Sequence, residues 1–269
     1  MYESFFGLRE SPFNVTPDPR FIYLSRHHQE ALSALVYGIE SRRGFLAITG
    51  EIGAGKTTLC RTLLKDIQDR THTAFIFNPK LSEFELLQTI VEDLGVVPRG
   101  KRRKDYFDAL NRFLMQELEK GVNTVVIIDE AQNLSPRALE QVRLLSNLET
   151  TREKLLQIIL VGQPQLKTLL ARPDLAQLYQ RITVRYHLPA LNREEAERYL
   201  AHRLRVAGSE ELFFTAEAID RIYERSNGIP RIINVLADRA LLGAFVRGAR
   251  IVEAAVVEEA HSDLEGVEV

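Results

Sequence analysis

Apolar positions recur along this chain in two registers. Residues 45–49, 124–128 and 156–162 are predominantly apolar runs, rich in β-branched side chains in the last two, as in strands buried on both faces of a parallel sheet. Ala74-Phe75-Ile76-Phe77 predicts a second short strand, ending at Asn78-Pro79, and the alternation over 182–188 predicts the last one. Between them the apolar residues fall at helical spacing. Ser25 caps a predicted helix over 26–42, with Ala31, Leu32, Leu35 and Ile39 on one face. The capping box Ser82-x-x-Glu85 opens a helix that Gly95 closes, and residues 106–119 form another, closed by Gly121. Ser135-Pro136 starts a helix to about Glu149.

From Leu191 onward the pattern is helical throughout. Asn192-x-x-Glu195 opens one helix, Thr215 caps a second that ends at Asn227-Gly228, Pro230 starts a third, and a short fourth begins near Val252. The first 24 residues differ: Pro12, Pro17 and Pro19 stand among Phe5, Phe6, Phe13, Phe21 and Tyr23, predicting an extended arm whose aromatics pack on something. The expected organisation is an arm at 1–24, an α/β core at 25–189, a helical domain at 190–262 and an acidic tail at 263–269.

The chemistry is concentrated between the strands. Gly50-Glu51-Ile52-Gly53-Ala54-Gly55-Lys56-Thr57 matches the phosphate-binding loop G-x-x-x-x-G-K-[ST], preceded by a strand and followed by a helix with Thr58 in its first turn. Backbone N–H groups at a helix N-terminus make an anion site. The glycines let the loop curl, Lys56 reaches the β- and γ-phosphates, and Thr57 offers its hydroxyl to Mg²⁺. The motif predicts a nucleoside triphosphate ligand. Asp129 and Glu130 end the strand 124–128, at the sheet edge where parallel folds bind ligands. Asp129 fits a direct or outer role at Mg²⁺, and Glu130 fits the base that orients and deprotonates an attacking water.

Four more residues are candidates. Asn78, at the end of the second strand, either holds Glu130 by an amide hydrogen bond or simply ends the strand before Pro79. Gln163 either contacts the γ-phosphate or the water, or serves the turn Gly162-Gln163-Pro164. Arg231, in Gly228-Ile229-Pro230-Arg231, is placed in the first turn of a helix to reach back over the nucleotide. Arg181 is the candidate for a guanidinium projected into a neighbouring subunit, with Arg172 and Arg185 competing for that role. Residues 99–104 form a dense basic loop, read either as a solvated run or as a contact for DNA phosphates.

Composition narrows the picture. The net charge of −2 removes any global basic field, and the single Cys60 excludes an intramolecular disulfide, which suits a reducing cytoplasm. Neither a signal peptide nor an apolar run of membrane-span length stands out.

Taken together, these motifs resemble the AAA+ ATPases, and within them the general secretion pathway protein A group. Tyr2-x-x-Phe5-Phe6-Gly7-Leu8, Ser11-Pro12-Phe13, Pro17-Asp18-Pro19-x-Phe21-x-Tyr23, His28-x-Glu30-Ala31-Leu32, Ile128-Asp129-Glu130-Ala131-Gln132 and Val161-Gly162-Gln163-Pro164 carry the likeness. The resemblance implies a P-loop core with a parallel sheet flanked by helices, followed by a small all-helical lid. It also implies that ATP and Mg²⁺ are the ligands, with Lys56 in Walker A, Asp129 and Glu130 in Walker B, Gln163 as sensor 1, Arg231 as sensor 2 and Arg181 as the arginine finger. A cytoplasmic ATPase follows from it, forming a nucleotide-dependent homo-oligomer or ring and working on envelope-assembly partners such as a secretin, pilus or exopolysaccharide exporter. Members of the secretion branch continue into a membrane span and a wall-binding region, so this chain is either a stand-alone member or a piece cut before the membrane. The related TnsC-like transposition ATPases bind duplex DNA, which makes a DNA-dependent regulator the second expectation. A non-catalytic nucleotide-binding adaptor is the third.

Overall fold

The computed structural model describes residues 1–16, 18–77 and 80–265. Its elements in chain order are α1 (Tyr2–Phe6), α2 (Arg26–Glu40), β1 (Phe45–Gly50), α3 (Lys56–Ile67), β2 (Thr71–Ile76), α4 (Glu83–Asp93), α5 (Arg103–Glu119), β3 (Asn123–Ile128), α6 (Pro136–Leu145), β4 (Gln157–Gly162), α7 (Pro164–Leu170), α8 (Ala176–Arg181), β5 (Ile182–Leu188), α9 (Arg193–Val206), α10 (Ala216–Ser226), α11 (Pro230–Val246) and α12 (Ala254–Glu265). They group into two compact units, one of residues 27–50 and 59–188, the other of residues 1–26, 51–58 and 189–269.

The first unit is a five-stranded parallel sheet in the order β2-β3-β4-β1-β5. β1, β3 and β4 are buried along their whole length, in keeping with their largely apolar sequences, and the polar Thr49, Asn123, Thr124 and Gln157 are buried with them. β2 and β5 lie at the edges and alternate between covered and open positions. Val126, Ile128, Ile158 and Leu160 share a core with Leu86, Ile90, Leu110, Leu139 and Val142 from α4, α5 and α6. Since every strand runs the same way, Gly50, Ile76, Ile128, Gly162 and Leu188 all finish at one edge.

The second unit is built on α9 to α12. Leu200, Leu204, Phe213, Ile222, Ile233 and Leu241 form its core, and Tyr2, Phe6, Phe13 and Phe21 from the N-terminal stretch complete it. Phe6 lies against Phe213 with ring centres 4.8 Å apart, and Phe5 meets Phe245 edge-on at 5.5 Å. The Arg203 guanidinium, buried here, donates to the Asn14 carbonyl at 3.1 Å and the Tyr199 hydroxyl at 2.9 Å. It also covers the Phe21 ring at 4.9 Å.

Several local expectations change. The stretch expected to be wholly extended starts with α1, because its prolines all follow Gly7, whose φ of 71° ends the helix in the left-handed region. β2 begins at Thr71, since an edge strand tolerates the polar Thr71-His72-Thr73. α5 begins at Arg103, so the last two residues of the expected basic loop are helical, with the Arg102 N–H donating to Asp105 at 2.8 Å. α6 stops at Leu145, where the Ser146 hydroxyl donates back to the Arg143 carbonyl at 2.6 Å. α7 and α8 have no counterpart in the expected element list. Among the described residues no helix is long and apolar enough to cross a membrane.

Candidate functional site

The phosphate loop follows β1 and runs into α3, and its shape comes from two glycines that reach positive φ. Gly53 stands at +81° and Gly55 at +95°. Ala54 donates its N–H to the Glu51 carbonyl at 3.1 Å, which closes the turn, and the buried Lys56 ammonium donates to the same carbonyl at 2.9 Å. Lys56 is thus folded back over its own loop. Thr57 and Thr58 follow it in the first turn of α3.

Within the same unit the loop is held against the start of α11. The Arg231 N–H donates to the Gly53 carbonyl at 3.3 Å. A Cβ at Gly53 would stand 2.5 Å from the Arg231 Cβ, so only glycine permits this approach. The Arg231 side chain is exposed, and its guanidinium has no hydrogen-bond or ionic partner among the described residues. An uncommitted guanidinium one backbone contact from the loop is suited to an anionic ligand.

In the sheet unit, Gly50, Asp129 and Gln163 stand at the ends of β1, β3 and β4, which are neighbours through β4. Asp129 is buried, its N–H donates to the Ile76 carbonyl at 2.9 Å, and its Oδ1 accepts the Glu130 N–H at 2.9 Å. Glu130 adopts φ 52° and ψ 37°, a left-handed conformation uncommon outside glycine and asparagine. Its Oε2 accepts from the Gln163 side-chain amide at 3.0 Å and from that of Gln132 at 2.5 Å. Two expected site residues, Glu130 and Gln163, are therefore in direct contact. Gln132 joins them, unforeseen; its place two residues after Glu130 in Asp129-Glu130-Ala131-Gln132 was the available signal.

The remaining candidates separate. Arg181 donates to the Ser146 hydroxyl at 2.6 Å and the Asn147 side-chain amide oxygen at 2.7 Å, both neutral acceptors. The nearby Glu140 is engaged by Arg143 at 2.7 and 2.8 Å, and that hydrogen bonding holds its carboxyl below the usual carboxylate range. Arg172 is closed on Asp174 at 2.9 Å, and Arg185 lies over the Tyr179 ring at 3.8 Å while donating to its carbonyl. Asn78 lies outside the described residues. Arg99, Lys101, Arg102 and Lys104 are exposed and make no ion pair among the described residues, whereas Arg103 pairs with Glu83 at 3.4 Å.

The AAA domain family matches residues 39–170. Over 268 residues the chain is 43% identical to general secretion pathway protein A of Aeromonas hydrophila, an alignment that takes in 99% of this chain and 49% of that protein. The chain thus spans about half the length of that relative. Among solved structures, the ORC2 protein of Aeropyrum pernix in its ADPNP–ADP complexes aligns with a TM-score of 0.71 at 18% identity, covering 97% of this chain and 72% of that one. Drosophila ORC bound to DNA aligns with a TM-score of 0.70 at 18% identity, over 94% of this chain and 64% of that one. The phosphate loop, the β2-β3-β4-β1-β5 parallel sheet and this sequence kinship have one meaning: the chain belongs to the AAA+ P-loop NTPases, in the family of general secretion pathway protein A.

Proposed function

We propose that this chain hydrolyses ATP to ADP and phosphate, and that it does so as a homo-oligomer serving the assembly of a cell-envelope secretion system. The observation that carries the reading is the loop at Gly53, Gly55 and Lys56, held by its backbone to an arginine whose guanidinium has no partner among the described residues. Such a loop cradles phosphates with N–H groups, and Lys56 exchanges the Glu51 carbonyl for phosphate oxygens. Arg231 then contacts the γ-phosphate. Glu130 accepts a proton from the attacking water, and Gln163 orients that water or the phosphate it attacks. Arg181, bonded only to neutral acceptors among the described residues, is the group best suited to stabilise transition-state charge in a neighbouring copy. Asn78 keeps its proposed role as a restraint on Glu130.

No cluster of three or more His, Cys, Asp or Glu side chains capable of holding a metal occurs among the described residues. A hydroxyl from Thr57 and a carboxylate from Asp129 are hard oxygen donors in small number, which fits Mg²⁺, an ion that keeps waters and takes phosphate oxygens. When bound, Mg²⁺ would neutralise charge developing on the phosphates. Adenine as the base is supported by the ADPNP–ADP complexes of Aeropyrum pernix ORC2, which shares the fold. A cytoplasmic place and a secretin, pilus or exporter as partner are supported by kinship with general secretion pathway protein A.

Arg99, Lys101, Arg102 and Lys104, exposed and without an ion pair among the described residues, favour one second reading, a DNA-dependent regulator. Turnover and ATP binding measured across protein concentration, with and without duplex DNA, test both. The expected result is binding abolished by Lys56→Ala, and turnover per chain that rises with concentration and ignores DNA. Constant turnover per chain on dilution would remove the trans arginine, and DNA-stimulated turnover would favour the regulator.

A further inference from the structure

A left-handed backbone at a residue other than glycine persists where the surroundings hold it. At Glu130 they do so through one side chain that works at both ends. The Gln132 amide donates to Glu130 Oε2 at 2.5 Å, and its own Oε1 accepts the backbone N–H of Gln163 at 3.1 Å. The Gln163 side chain adds a second donor to the same carboxylate oxygen at 3.0 Å. Gly162 makes room for this bridge, since a Cβ there would stand 2.7 Å from Gln132 Oε1. Glu130 Oε1, by contrast, carries no protein hydrogen bond among the described residues.

We infer that Gln132 is a positioning residue for hydrolysis: it fixes Glu130 with Oε2 occupied and Oε1 turned to the water, and bolts that carboxylate to the end of β4. The inference rests on the reading of Glu130 as the base. In the step it serves, the water oxygen bonds to the γ-phosphorus as the bridging P–O bond breaks. That bond's electron pair leaves with the ADP oxygen, and the water's proton goes to Oε1. A carboxylate free to swing about its own χ angles meets the water in the right geometry only part of the time, and such misplacement is expensive in rate. Hydrogen bonding of one oxygen by two amides removes that freedom without consuming the oxygen that takes the proton. Through Gln163, the same bridge passes any movement at the end of β4 to the base.

Two substitutions separate the halves of the bridge. Gln132→Ala removes both. Gln132→Glu keeps the length and the acceptor for the Gln163 N–H, but its carboxylate cannot donate to Glu130. Both variants are compared with wild type in single-turnover ATP hydrolysis, in ATP affinity and in melting temperature, each alone and combined with Glu130→Gln. The expected result is a rate reduced about ten- to a hundredfold in both single variants with ATP affinity retained. In the Glu130→Gln background neither should lower the rate further, because Gln132 acts through Glu130. A normal rate in a folded Gln132→Glu would overturn the inference, as would an equal further loss on top of Glu130→Gln. If Glu130→Gln itself hydrolyses at the wild-type rate, the failure belongs to the reading of Glu130 and not to the bridge.

Discussion

Gly228 stands at φ +70°, and a Cβ added there would come within 2.0 Å of the Leu191 carbonyl oxygen. Two residues later Pro230 starts α11, so the turn that aims Arg231 is fixed by a residue with no side chain. Such positions are legible in sequence, because glycine and proline punctuate whatever the tertiary setting. His202 is the opposite case. Burial holds its imidazole below the ordinary histidine value; a hydrogen bond with the Ile22 backbone opposes this, and the charges of Arg205 and Arg203 add to it. The unfolded chain, with an ordinary value of about 6.5, therefore takes up a proton more readily than the folded one. Stability from this residue is complete above about pH 6.5 and is lost as the pH falls below it. His202→Gln is expected to flatten the fall in melting temperature between about pH 7 and pH 5.5. Parallel curves for variant and wild type would contradict this. Nothing in the local sequence marks His202 or Arg203, because each draws its role from a partner brought in by the fold.

Among the elements, those with end signals came through in detail. Ser82 and Glu85 form the expected capping box, at 3.3 and 2.8 Å, and so do Asn192 and Glu195, at 2.8 and 3.1 Å. Asn192 opens α9, whose buried face carries Tyr199, Leu200 and Arg203. Asn192→Ala is expected to destabilise by about 1 kcal/mol, and Asn192→Gly by only a few tenths. Urea unfolding followed by circular dichroism measures both, and equal midpoints for the two variants would be inconsistent with a side-chain cap. Elements without such signals were misjudged. α1 is only five residues long, and its aromatic side chains gain their stability from Phe213 and Phe245, far away in sequence. α7 and α8 are short, and their apolar residues serve the sheet core more than a helix pattern of their own. β2 shows why an edge strand blurs, since polar residues at its open positions look like loop.

Across the whole molecule, the parallel sheet was readable because its three central strands are largely apolar. The composition of the second unit was not. It gathers the first 26 residues, the loop at 51–58 and everything from Pro189 onward, and its core joins two stretches far apart in sequence, so neither shows locally which partner it meets. The loop and Arg231 meet inside that unit, while Asp129, Glu130, Gln132 and Gln163 meet inside the other. The central claim is that these two sets serve one reaction, with the loop binding ATP and Glu130 activating water. It is tested most directly by ATP turnover of the wild-type chain against Glu130→Gln, with ATP binding measured on the same samples. The account predicts ATP binding kept in the variant and turnover lowered by about 10²- to 10⁴-fold. Turnover equal in the two proteins would contradict it.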